Sequence, residues 1–377
     1  MSGALLGQKG FRVNILERMN FIGGRFTSFE KDGVPIPTGA VHMIPHRKGP
    51  MKQILVDKLN LPIELIDAGR PAIVNEKGEG IELGGLDAAK LFLKSLMGFS
   101  SAKRAMDSIY EFSIGLKGSR IPLLDRFAFM RRIGSYSHHV TPKGGVKSVI
   151  DALASSIRES GGRIRINHNV ISVKPIDEGG FEVTTEGENY RSDIVIANCS
   201  PAVLFRLLGG EARLLGSSFE RKVTECEPVP GIKIAVVCNH RVCPSSITFT
   251  PFLQVISGFS EPTIADPELA GEGRHLIMSH QEVGPGSLYD QIERAMEDFR
   301  EFIPNFQDSC KVVSTHVYRD VYPVNHASQG QDFRPITRIQ GLYLVGDGVK
   351  PRGYIMTEGV AKSAEIAVKA IFGGNGS

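Results

Sequence analysis

Two hydrophobic periods alternate along the chain. Short, nearly continuous apolar runs such as VNIL (13–16), DIVIAN (193–198) and LYLV (342–345) read as strands covered on both faces. In VKSVIDALASSIRE (146–159), LYDQIERAMEDFREF (288–302) and TEGVAKSAEIAVKAIF (357–372) the apolar residues recur every three or four positions, the spacing of a helix with one buried face. Gly and Pro clusters mark the joints between them. Interleaved strands and helices predict an α/β fold with a Rossmann-like unit. GIKIAVVCN (231–239), RHLIMSHQEV (274–283) and CKVVSTHVYRDVYPV (310–324) predict an antiparallel sheet in a second domain, and residues 86–134 have the spacing of a helical insert.

The segment FRVNILERMNFIGGR (11–25) has the texture of the second strand of a dinucleotide-binding unit and the turn that follows it. In such a unit the strand ends in an acid that accepts hydrogen bonds from ribose hydroxyls, and Glu17 stands at that place. GALLGQKG (3–10) reads as the last turns of the preceding helix, closed by a left-handed Gly10. Met1 therefore falls inside the unit, and the Rossmann-like domain is expected to be incomplete at its N-terminus, without a first strand and its G-x-G-x-x-G turn. Near the other end, Asp347 follows the strand 342–345 at the carboxyl edge where open α/β sheets bind ligands. The next helix, with Thr357 as its N-cap, turns the partial positive charge of its first N–H groups toward an anion, and a reduced flavin is one.

At 377 residues and 41% hydrophobic composition the chain suffices for two domains with cores, and a formal net charge of +3 gives no field that argues for a nucleic-acid partner. Cys199, Cys226, Cys238, Cys243 and Cys310 are odd in number and lack a C-x-x-C pair, which reads as reduced thiols in a cytoplasmic compartment. No apolar run has the length of a membrane span. In residues 86–134, Lys90, Lys94, Lys103, Arg104, Arg131 and Arg132 lie on the polar side of helical spacing. Two readings stand: a solvated face over a core, and a basic amphipathic surface in peripheral contact with anionic lipid. His138 and His139 are adjacent, so they point apart on a strand, and no metal site is expected.

LER followed by IGGR, GGVKSVIDAL with GGRIRINHNVISV, DIVIANCSP, and GLYLVGD with GVAKSAEIAVKAI succeed one another over nearly the whole chain. In that order the chain resembles the FAD-dependent amine oxidase and phytoene desaturase superfamily. GGRFTSFEKDGVPIPTGAVHMIPH (23–46) makes it most similar to the phytoene dehydrogenase-related oxidoreductases of archaea and bacteria. The resemblance implies FAD, with Glu17 and its neighbour Arg18 at the adenosine ribose and Gly23, Gly24 and Arg25 by the pyrophosphate, Arg25 serving as a fixed cation. It implies Gly39, Ala40, Val41 and His42 beneath the flavin, Val170 at the adenine, Gly346 and Asp347 at the ribityl and phosphate region, and Met356, Thr357 and Glu358 at the pyrimidine edge. The chain departs from the family in having no G-x-G-x-x-G turn: either the true start lies upstream, or the product is a relic with weak or absent FAD binding.

The catalytic candidates each have two readings. Lys233 resembles the lysine with which amine oxidases hold a water by flavin N5, and is otherwise a strand lysine. Tyr322 and Tyr354 fall near the aromatic pair that flanks an amine in those enzymes. His42 and His46 serve either proton transfer or a buried carbonyl. The expected protein is an FAD-dependent, phytoene desaturase-like oxidoreductase. Its discontinuous FAD-binding domain is 1–50, 138–210 and 336–377, and its α+β substrate domain is 51–137 and 211–335. A small apolar substrate, isoprenoid or carotenoid-like, gives up a hydride equivalent to the flavin. The competitors are a flavin amine oxidase, and a non-catalytic prenyl-lipid-binding protein like the Rab GDP-dissociation inhibitors, or an inactive truncated flavoprotein.

Overall fold

The chain opens with helix α1 (Ser2–Gly7), which ends where the Phe11 N–H reaches Leu6 O at 3.1 Å beside a left-handed Gly10, and β1 (Asn14–Leu16) follows. The computed structural model describes residues 1–39, 41–135, 138–320 and 322–374. After β1 come the hairpin β2 (Ser28–Lys31) and β3 (Val34–Pro37), α2 (Pro50–Lys52) with a further helical stretch Gln53–Lys58, β4 (Leu65–Asp67), and the hairpin β5 (Ala72–Val74) and β6 (Gly80–Glu82). The expected insert is three helices, α3 (Gly85–Leu96), α4 (Ser100–Ile114) and α5 (Leu123–Ser135). β7 (Val140–Pro142) closes it by pairing antiparallel with β4. Helix α6 (Val146–Glu159) then delivers the chain to β8 (Arg163–Arg165), parallel to β1 with Ile15 opposite Ile164.

β9 (Val170–Pro175), β10 (Phe181–Thr185) and β11 (Asn189–Ser192) form an antiparallel meander. β12 (Val195–Ala197) leads into α7 (Pro201–Leu208) and α8 (Ser217–Glu225). The Ser200 hydroxyl caps α7 by accepting from the Val203 N–H at 3.2 Å. Far along the chain, β18 (Leu342–Leu344) pairs in parallel with β12 and feeds the last helix, α11 (Met356–Gly374). Residues 50–61 pack on this side of the molecule, with Met51, Ile54, Leu55 and Leu59 against Ala4, Val149, Leu153 and Ala361.

The intervening residues build a seven-stranded sheet. Its strands are β13 (Gly231–Cys238), β14 (Ile247–Phe249), β15 (Gly258–Ser260), β16 (His275–Glu282) and β17 (Cys310–Tyr318) together with β5 and β6, in the order β17-β13-β16-β15-β14-β5-β6. All its pairs are antiparallel except β14 with β5. Alternation along β13 decides the two faces. Ile232, Ile234 and Val236 meet Phe299 and Ile303, the apolar stripe and C-cap of α9 (Leu288–Phe302), whose chain continues through α10 (Phe306–Ser309). On the opposite face Ala235 meets Val34 and Ile36 of β3.

One expectation is corrected in this sheet. Cys238 and Cys310 are opposite each other across β13 and β17 and form a disulfide, with sulfurs 2.02 Å apart, leaving Cys199, Cys226 and Cys243 as thiols. Residues 72 apart in sequence became neighbours through strand topology, which cysteine spacing does not encode, so the all-thiol reading and the compartment drawn from it fall away. Among the described residues no helix is long and apolar enough to cross a membrane.

Candidate functional site

A cavity of about 1910 Å³ runs between the β1–β8 pair and the β12–β18 pair and on toward the seven-stranded sheet. Two strands deliver carboxylates to it. Glu17 follows β1; its N–H donates to Arg165 O at 2.8 Å, and its Oε1 accepts from the Met19 N–H at 2.9 Å. Asp347 follows β18, and with Gly346 it reaches the same cavity from the other end of the sequence.

Asp347 is the hub of the polar wall. Its Oδ2 accepts from Arg25 Nη2 at 2.7 Å and from the His326 N–H at 3.0 Å, while Arg25 Nη1 donates to the carbonyls of Pro323 and Val324 at 2.6 and 2.8 Å. Burial opposes charge on Asp347, but Arg25, Lys350 and His326 outweigh it and lower its pKa. The turn carrying Arg25 depends on glycine: Gly23 has φ +100°, and a Cβ there would lie 2.8 Å from Thr27 Cβ. Gly39 approaches the same turn so closely that a Cβ would stand 2.1 Å from Arg25 O.

The cavity wall also holds Arg18, Gly24, Val41, Val170, Met356 and Thr357. Arg18 sits 5.3 Å from the ring centre of Tyr322. Helix α11 begins at Met356, one residue before the expected cap, and Met356 has φ +47°, a strained backbone at the cavity edge. Thr357 Oγ1 is buried and has no hydrogen-bond partner among the described residues.

Other candidates lie off this wall. Glu358 is fully buried beyond it. One helical step turns its side chain to residues 46–51, where Oε2 accepts from the Met51 N–H at 3.0 Å, and burial raises its pKa to about 8. His42 is also off the wall, with both ring nitrogens engaged: Nε2 at 2.6 Å from Pro35 O and Nδ1 accepting from the Val146 N–H at 3.1 Å, which fixes the Nε2–H tautomer. Burial lowers its pKa to about 4. Lys233 is fully buried, and its Nζ donates to Gly39 O at 2.7 Å and to Pro37 O rather than facing the cavity; burial lowers its pKa to about 7. Tyr354 is stacked under Arg132, 3.7 Å from ring centre to guanidinium, and does not face Tyr322 across the cavity. Ala40 lies outside the described residues. No group of three metal-ligating side chains is found among the described residues.

Three participants escaped the sequence reading. Lys350 is buried, pairs with Asp332 Oδ1 at 3.1 Å and donates to Asp347 O; its position in GDGVKP, three residues after the acid, was the available signal. Tyr318 OH donates to Gly39 O at 2.8 Å. Glu111, at the end of α4, lines the far part of the cavity, where burial raises its pKa to about 7.

Residues 100–372 match the family of flavin containing amine oxidoreductases, and the chain belongs to that family; residues 1–59 match an NAD(P)-binding Rossmann-like domain. It is 28% identical to an uncharacterised protein of Methanocaldococcus jannaschii, with 96% of this chain and 93% of that protein aligned. The crystal structure of an oxidoreductase from Methanosarcina mazei superposes with a TM-score of 0.89 at 27% identity, covering 98% of this chain and 96% of that one. A putrescine oxidase bound to putrescine, at 13% identity, shares the fold with a TM-score of 0.67 over 99% and 96% of the two chains. The chain is thus a flavin oxidoreductase with FAD as cofactor. Its own geometry fits a dinucleotide: a cavity reached by an acid after β1 and another after β18, each strand in a parallel pair, a guanidinium beside one of the acids, and an orphaned buried hydroxyl at the start of α11.

Proposed function

We propose that the chain oxidises a small apolar substrate, isoprenoid or carotenoid-like, held in the part of the cavity nearest the seven-stranded sheet. The observation that carries this reading is the wall there: Val41, Met43, Phe112, Ile232 and Met356 supply apolar surface. When bound, FAD supplies the acceptor of the electron pair and hydrogen lost by the substrate. Glu17, Arg25, Asp347 and Thr357 hold it, and the backbone at Gly23, Gly24, Gly39, Gly346 and Val170 shapes its slot. On this reading residues 1–50, 138–210 and 336–377 carry the cofactor, and 51–137 with 211–335 carry the substrate. The chain's share of catalysis is alignment and exclusion of water, which needs no strong base.

A second reading, amine oxidation, is favoured by the Glu111 carboxyl in the cavity, which lies 3.6 Å from the Lys117 ammonium and would take a substrate ammonium in its place. Against it, Lys233 and Tyr354 lie off the wall. Anaerobic mixing of the FAD-loaded protein with a polyene isoprenoid, and separately with a diamine, separates the two. Bleaching of the flavin absorbance by the isoprenoid alone is expected, and bleaching by the diamine alone overturns the apolar reading.

A further inference from the structure

The helical insert carries apolar side chains on the side that faces solvent. In α3 the core face is Ala88 and Phe92, whereas the line opposite them holds Leu86, Leu93 and Met97, exposed by 78%, 55% and 68%. Phe99, two residues beyond Met97 at the turn into α4, is exposed as well. α5 packs on the core face of α3 through Phe127 and Phe92, whose ring centres are 5.1 Å apart, on the side away from the Leu86, Leu93 and Met97 line. Scattered exposed leucines are ordinary. Here five of the eighteen exposed large apolar residues among the described ones, Leu86, Leu93, Leu96, Met97 and Phe99, fall on this one helix and the turn that follows it, which makes a patch.

Charge identifies what covers it. Lys90, Lys94, Lys103 and Arg104 are exposed around the apolar line, against one exposed carboxylate, Asp87, between residues 86 and 104. Lysine stems lie along apolar surface while their ammonium groups reach outward. Apolar knobs set among cations match the boundary of an anionic bilayer, where lipid phosphates and carboxylates meet the cations and acyl chains receive the leucine, methionine and phenylalanine side chains. A second copy of the chain would set these cations against the same cations.

We propose that α3 and the start of α4 seat the protein on an anionic phospholipid surface, lying on the bilayer without crossing it. α4 then runs from this surface inward to Glu111, Phe112 and Ser113 on the cavity wall, a helical path of about 20 Å. The docking does not rest on the reaction proposed above.

Co-sedimentation of the full chain tests it, using vesicles of phosphatidylcholine alone and of phosphatidylcholine with phosphatidylserine, each at low and high salt. Pelleting is expected with the serine-lipid vesicles at low salt, and salt is expected to reduce it. Met97→Ser with Phe99→Ser, and separately Lys90→Glu with Lys94→Glu, each weaken binding on the order of tenfold or more while the melting temperature stays unchanged. Absence of pelleting with serine-lipid vesicles overturns the proposal, as do folded variants that bind like the parent. A concentration-dependent dimer that Met97→Ser dissolves, in place of lipid binding, assigns the face to a second copy and also overturns it.

Discussion

Glu358 shows how a buried acid records its surroundings. Its carboxyl is raised from the ordinary 4.5 to about 8, so the folded state holds a proton that the unfolded chain releases between those values. The stability this proton brings is full below about 4.5 and is lost as pH rises through about 8. Glu358→Gln is expected to flatten the pH dependence of the melting temperature across that window, and Glu358→Ala to cost roughly 2–3 kcal/mol by stranding the Met51 N–H. Lys233 has the complementary role of donor to two carbonyls. Lys233→Met should take this donor from Pro37 O and leave Gly39 O with Tyr318 alone, at a cost on the order of 1–3 kcal/mol by denaturant titration. A flavin-site role alone would instead change turnover with unchanged stability. Glu17 and Asp347 were legible because each ends a recognisable apolar strand. The orientations of Lys233, His42, Tyr354 and Glu358 were not, because a side chain's direction follows from tertiary neighbours that motif spacing does not contain.

Helices α6 and α9 begin and end where the hydrophobic period predicts them, since an amphipathic stripe is a local property. α9 depends on that stripe: Phe299 is fully buried against Phe259 and Phe306, and Phe299→Ala should cost roughly 3–5 kcal/mol in equilibrium unfolding. The strand order was hidden from sequence. β14 pairs with β5, so Thr248 stands opposite Ala72, a partnership that no local pattern announces. The short strands β14 and β15, three residues each, are too brief to show a period.

At the scale of the whole molecule, topology joins what sequence separates. The disulfide closes a loop across 72 residues of chain, and Cys310→Ser should lower stability by about 2–4 kcal/mol. Thiol titration of the denatured, unreduced protein should find three reactive sulfurs, and five would overturn the pairing. The same long-range logic holds at Gly39, whose single carbonyl oxygen receives both Lys233 from β13 and Tyr318 from β17. That double fastening pins the cavity floor to the edge of the large sheet. A motion that parts residue 39 from β13 and β17 must break both bonds, so an opening that admits a substrate is expected to leave this seam closed.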